Sequence, residues 1–292
     1  MEAARLERSR AEPRQLTLVA VLVALAVVGW LVTDERMAGM DSGPGSDPGA
    51  LGFYVGVWVV MMAAMMFPSI APMVMAYAHI QRRRRERGRR QAGPLAVALF
   101  VSGYLISWTA FGIAAYGLLE LGRSLEIDAL AWDSAGPYLA GGVIVAAAVY
   151  QLTPVKDVCL RKCRGPMDFV LGYWKDGYAG ALRMGVEHGA WCVGCCWALM
   201  AALFALGVMS VGWMAFVAAL IAIEKLVPWR APANRGIAVL LVALGVAVAL
   251  TPGSVPGLTL PDSPPARDAM MRMSDPGTSE PGVRVSEPGM KP

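Results

Sequence analysis

The sequence predicts an all-α fold, a polytopic transmembrane helix bundle of about seven spans with its N-terminus cytoplasmic. Three observations carry this. Of 292 residues, 56% are hydrophobic, and the mean hydropathy is +0.50. Charged residues make up 16% of the chain, against about 25% in soluble domains. Several stretches reach or approach the roughly 20 apolar residues that cross a bilayer. The same composition excludes other classes. A soluble helical protein needs more polar surface, and a membrane barrel needs short alternating segments. Five cysteines are too few, and odd in number, for a secreted disulfide scaffold. The net charge of +4 implies no nucleic-acid partner, because the basic residues cluster by loop.

In chain order, residues 1–14 form a cytoplasmic segment and 15–251 the transmembrane domain. The first span, 15–33, is read as an anchor rather than a cleaved signal, since no A-x-A site follows it. The second, 51–80, carries Pro68 and Pro72 and is expected to kink and break its backbone ladder between them. Spans three to five are 95–119, 136–156 and 188–208. The last two, 211–227 and 236–251, are short and are expected to tilt or thin the bilayer. From 252 to 292 the chain is rich in Pro, Gly and Ser and is expected to be disordered.

Orientation follows from the Lys/Arg bias of short loops. The loop "RRRRERGRRQ" holds seven arginines, loop 156–187 six basic residues and 225–235 three. Loops 34–50 and 120–135 each hold four acids and one arginine. Basic loops alternate with acidic ones, which puts the basic set in the cytoplasm and the C-terminus outside.

The strongest chemical signal is where the sulfur lies. "HGAWCVGCCWALM" places His188, Cys192, Cys195, Cys196 and Met200 at i, i+4, i+7, i+8 and i+12, one stripe of a helix. "CLRKC" places Cys159 and Cys163 on one face at the cytoplasmic end of span four. His79 ends span two at the same side. All five cysteines and both histidines therefore map to one leaflet. Thiolates and thioethers select Cu(I), with imidazole an acceptable companion; zinc, which takes Cys and His at tetrahedral geometry, ranks second. The competing reading treats each thiol as a small hydrophobe, or the juxtamembrane pair as acylation sites.

Span two adds Met61, Met62, Met65 and Met66 as two i, i+4 pairs. A thioether ladder suits a soft ion, and it equally suits the filling of irregular gaps between helices. Glu224 is ionisable within a span, so it is a functional candidate, unless it merely pairs with Lys225 or Arg183. Gly185 and Gly189 form a small-xxx-small pattern that lets another helix approach near the cysteines.

"MMAAMMFPSIAPMVMAYA", "YQLTPVKDVCLRKCRGP" and "GALRMGVEHGAWCVGCCWALM" resemble the DUF2182 family over roughly residues 50–250. This is a bacterial family of predicted metal-binding integral membrane proteins, some labelled copper chaperones. The resemblance implies soft-metal handling at the bacterial cytoplasmic membrane. It implies family cysteine positions at Cys159, Cys163, Cys192, Cys195 and Cys196, and the family histidine at His188.

The expected function is Cu(I) binding by the Cys/Met/His cluster for copper handling, as chaperone or transporter, without catalysis. The expected partners are the lipid bilayer, the metal ion and a protein that delivers or accepts it. The alternatives are a membrane thiol–disulfide oxidoreductase, which uses closely spaced cysteines, and an assembly factor whose cysteines only pack.

Overall fold

In a computed structural model, residues 2–37, 41, 43–44, 49–87, 95–124, 132, 134–261 and 263–274 are described. Among them every regular element is helical. The order is α1 (Glu2–Met37), α2 (Leu51–Glu86), α3 (Leu95–Ser124), α4 (Gly136–Gln151), α5 (Pro154–Arg164), α6 (Pro166–Gly172), α7 (Gly177–Leu206), α8 (Val211–Leu226), α9 (Arg230–Leu250) and α10 (Pro264–Ser274). The core sits between α2, α3, α7 and α8, lined by aromatic and sulfur-bearing side chains. The outward faces of α1, α3, α4 and α9 carry exposed Val, Leu and Ile, as helices bordered by lipid do.

The count of seven spans is not reached among the described residues, where five helices qualify, or six if one bent pair counts as a span. Five helices are long and apolar enough to cross a membrane: Gln15–Met37, Leu51–Glu86, Leu95–Ser124, Gly177–Leu206 and Ala231–Leu250. The segment read as one span over 136–156 is two helices, Gly136–Gln151 and Pro154–Arg164, bent by 68°. The cause is local. Pro154 has no N–H to continue α4, and the Thr153 hydroxyl accepts the Lys156 N–H at 3.3 Å, capping a new helix. Helix α8 has 16 residues, about 24 Å at ~1.5 Å per residue, short of a hydrocarbon core of about 30 Å.

Helix α2 runs through both prolines from Leu51 to Glu86, each of which leaves one ladder hydrogen bond unmade. Between them the Ser69 hydroxyl donates to the Met66 carbonyl at 2.8 Å. Beyond α9 lie a 3-10 turn at Pro252–Ser254 and helix α10. The turn region is tied down by Trp213 Nε1 donating to the Gly257 carbonyl at 3.0 Å and Thr259 donating to Asp41 at 2.9 Å. The rest of that tail, 275–292, and loop residues 88–94 lie outside the described residues.

Two helix pairs pack backbone to backbone. The Gly185–Gly189 pattern meets α3. A Cβ on Gly189 would lie 2.7 Å from Ser107 Cβ and 2.8 Å from the Tyr104 carbonyl oxygen, and one on Gly185 would strike the Phe100 carbonyl. Gly103 answers from the other side, against Val186 and Gly185. Gly141 on α4 and Gly245 on α9 face each other in the same way. Where lipid offers no hydrophobic drive between helices, such close approach is what holds them together. It also brings Tyr104 to the sulfur stripe of α7.

A side chain at Gly185 therefore forces α3 and α7 apart. We expect Gly185→Val to lower stability by about 1–3 kcal/mol or more, as overpacking does. Gly117→Ala, on the same helix as Gly103 with nothing within 4 Å of its Cβ, should melt like the wild type. Thermal melting of both variants in detergent checks this.

Candidate metal centre

The stripe on α7 is buried as its spacing predicts: Met184, His188, Cys192, Cys195, Cys196 and Met200 all face inward. Helix α5 forms the second wall. Its Cys163 Sγ lies 3.6 Å from Cys195 Sγ, and Cys196 Sγ lies 3.3 Å from Cys195 Sγ. The sulfurs of Cys163, Cys192 and Cys195 all lie within 4.8 Å of one another. A metal bound equally by three sulfurs at about 2.3 Å would set them about 4 Å apart, so the trio fits one ion. All five cysteines are free thiols.

Cys159, one turn earlier on α5, stands outside this trio. It packs over Gly194, where a Cβ would lie 2.9 Å from Cys159 Sγ. Tyr150 donates to the Gly194 carbonyl at 2.5 Å and fixes α4 to the same point.

Cys192 has two polar neighbours. Tyr104 OH lies 3.1 Å from its Sγ, with either group able to donate, and Lys225 Nζ donates to it at 3.0 Å. The same ammonium reaches Ser69 Oγ at 3.4 Å, so α3 and α8 meet the Cys192 sulfur directly and α2 joins through Lys225. Lys225 is held there because its neighbour faces elsewhere. Glu224 receives both its hydrogen bonds from Lys156 Nζ, at 2.7 and 2.8 Å, with the two side chains 0% and 1% exposed. The pairing expected between Glu224 and Lys225 or Arg183 is not made; Arg183 pairs with Glu187. Successive helical side chains diverge by about 100°, which sends Glu224 toward α5 and Lys225 toward α7. Arg164 adds hydrogen bonds to the Glu224 and Val227 carbonyls, closing the C-terminus of α8.

Of the other expected ligands, neither histidine joins the trio. His188 is buried among Phe169, Tyr104 and Phe100, with ring centroids 5.1, 5.8 and 6.1 Å away. Its Nδ1 has no hydrogen-bond partner among the described residues. His79 lines a separate cavity with Arg83, Arg84 and Arg87. Met61, Met62, Met65, Met66 and Met200 are all buried in the same core cluster as the cysteines. Helix α2 reaches the site through Ser69, whose hydroxyl meets Lys225.

Comparison with known proteins adds one finding. The family model described as PpoB2, copper chaperone, matches residues 55–248. The chain belongs to this family. The match carries the copper-chaperone description and not the DUF2182 name. Its bounds enclose every cysteine, both histidines, Lys156, Glu224 and Lys225. No curated protein and no solved structure matches the chain.

Sequence reasoning missed Lys225, Tyr104, Ser69 and Lys156. The signal for the lysines was present, since ionisable groups inside spans are rarely idle. The buried pair makes a sharp test. Lys156→Met should cost about 3–5 kcal/mol by stranding the Glu224 charge. The double variant Lys156→Met, Glu224→Leu should recover most of that loss, read by chemical or thermal unfolding in detergent.

Proposed function

We propose that the protein is a membrane copper carrier that holds one Cu(I) as cargo on the thiolates of Cys163, Cys192 and Cys195. The observation that carries this is the convergence of three sulfurs, from two helices, within 4.8 Å of one another. Thiolate ligands select Cu(I), and membership of a copper chaperone family agrees. Structural zinc prefers four ligands at tetrahedral geometry, and the trio supplies three.

Charge explains the neighbours. Three thiolates and one Cu(I) sum to −3 + 1 = −2, and such a charge is costly in a low-dielectric interior. Lys225 stands beside Cys192 and offsets part of it. Tyr104 supplies a hydroxyl to the same sulfur. Cys196, in contact with Cys195, offers a fourth thiol through which the ion can enter or leave by ligand exchange. In this reading the carrier does no catalysis. It sits in the bacterial cytoplasmic membrane with the thiols toward the cytoplasm, as the loop charges indicate, and exchanges copper with a protein partner on that side.

Competition with a soluble Cu(I) chelator tests the ligand set. The wild type should hold one Cu(I) per chain, and zinc should not displace it. Serine at Cys163, Cys192 or Cys195 should each weaken binding by more than about 100-fold, while Cys159→Ser should stay near wild type. Lys225→Met, which removes a partner of a ligand, should weaken it by about 10- to 100-fold. Unchanged copper affinity in the Cys163→Ser and Cys195→Ser variants would remove the basis of the proposal. A pair of cysteines that cycles between thiol and disulfide, found by thiol trapping, would point to the oxidoreductase instead.

A further inference from the structure

Helix α2 has 36 residues, about 54 Å at ~1.5 Å per residue, against a hydrocarbon core of about 30 Å. Its last turns therefore emerge from the apolar layer. At that level the chain builds a cavity of about 360 Å³ between α2 and α6, lined by His79, Ile80, Arg83, Arg84, Arg87, Met167 and Leu171. The metal centre does not use it.

Three guanidiniums line one side. Glu86, the acid in their turn, pairs with Arg82 at 3.6 Å, and among the described residues no ion pair is made by Arg83, Arg84 or Arg87. Arg84 is positioned by stacking over Trp174, its Cζ 4.7 Å from the ring, and Trp174 is itself fixed by its indole N–H donating to Asp176 at 2.7 Å. Arg84 Nε and His79 Nδ1 are both buried and lack hydrogen-bond partners among the described residues. The site thus gathers cationic and orphaned polar groups with no anion to answer them.

The opposite side is apolar. Met167 is 49% and Leu171 62% exposed on α6, next to the arginines. Tyr173, Trp174 and Tyr178 lie in the same stretch of chain, as aromatic residues do at the membrane–water boundary. A soluble anion or an acidic peptide has no use for the apolar wall; a phospholipid uses both sides. Guanidinium forks match phosphate oxygens, and basic pockets between membrane helices take anionic headgroups.

We propose that this cavity binds the phosphate headgroup of an anionic phospholipid, with Arg83, Arg84 and Arg87 pairing the phosphate and the acyl chains lying along Met167 and Leu171. His79 supplies a further hydrogen-bonding atom at Nδ1, so its role is in lipid recognition rather than metal ligation. This rests on the membrane reading of the fold and is independent of the copper proposal.

The test uses the full chain in an uncharged detergent, titrated with phosphatidylglycerol, phosphatidylcholine, inorganic phosphate or a soluble poly-glutamate peptide. Binding is read by native mass spectrometry and by the shift in melting temperature. Phosphatidylglycerol should bind at least about tenfold tighter than phosphatidylcholine and raise the melting temperature. Arg83→Gln with Arg87→Gln should erase that preference and leave Cu(I) stoichiometry unchanged. If the double variant fails to fold, Arg87→Gln alone, exposed at the helix end, should still reduce the preference. Equal binding of the two lipids, or a preference untouched by these substitutions, overturns the proposal. Equal stabilisation by inorganic phosphate, or by the acidic peptide in place of the lipid, overturns it in favour of a small-anion or protein site.

Discussion

The buried Lys156–Glu224 ion pair fixes the geometry on which the cysteine cluster depends. Helix α5 leaves α4 at 68°, and a short helix turned that sharply needs a reason to stay in the bundle. Its face offers Cys159 and Leu160 to the core, which is little apolar area for 11 residues. The ion pair supplies the rest, with Lys156 on α5 reaching Glu224 on α8 through two hydrogen bonds. Arg164, at the other end of α5, grips the terminal carbonyls of α8. Between these two anchors lies Cys163, which is thereby held against Cys195. A buried pair of this kind is weak evidence for net stability, because desolvation offsets its attraction. Its use here is to specify one position of α5 over others.

The same adjacency in sequence serves two purposes in space. Glu224 and Lys225 sit next to each other, yet one anchors α5 and the other stands beside Cys192. Any shift of α8 that released the ion pair would also move Lys225 at the sulfur. The glycine contacts between α3 and α7 set the third boundary, since only their close approach lets Tyr104 reach Cys192. The site is thus held from α5, α8 and α3 around a stripe that α7 provides.

Much of this was legible in the sequence. Hydropathy marks the helical class because lipid-facing and core-facing residues are both apolar. The α7 stripe follows from spacing, since His188, Cys192, Cys195 and Cys196 repeat on one face and that face is buried. The Gly185–Gly189 pattern marked a close contact, though not which helix would make it. The bend in 136–164 was hidden because an averaged window passes over Thr153 and Pro154, whose effect is a cap and a missing donor rather than a change in polarity. His79 shows a related effect. Sequence position gives depth in the membrane but not direction around the bundle, and His79 lies at the arginine cavity instead of the sulfurs. The α2 methionines are buried, which serves gap filling and a thioether ladder equally. Lys225 escaped notice because charge adjacency suggested a local pair, where helical geometry separates the two side chains.

If Cu(I) is held as proposed, cysteine sulfur alone, drawn from α5 and α7, forms its inner shell. Copper-edge X-ray absorption on the Cu(I)-loaded protein tests it most directly. The account predicts one shell of about three sulfur atoms with no imidazole contribution, because His188 and His79 are both held elsewhere. A shell containing histidine nitrogen, or one dominated by light atoms, would contradict it.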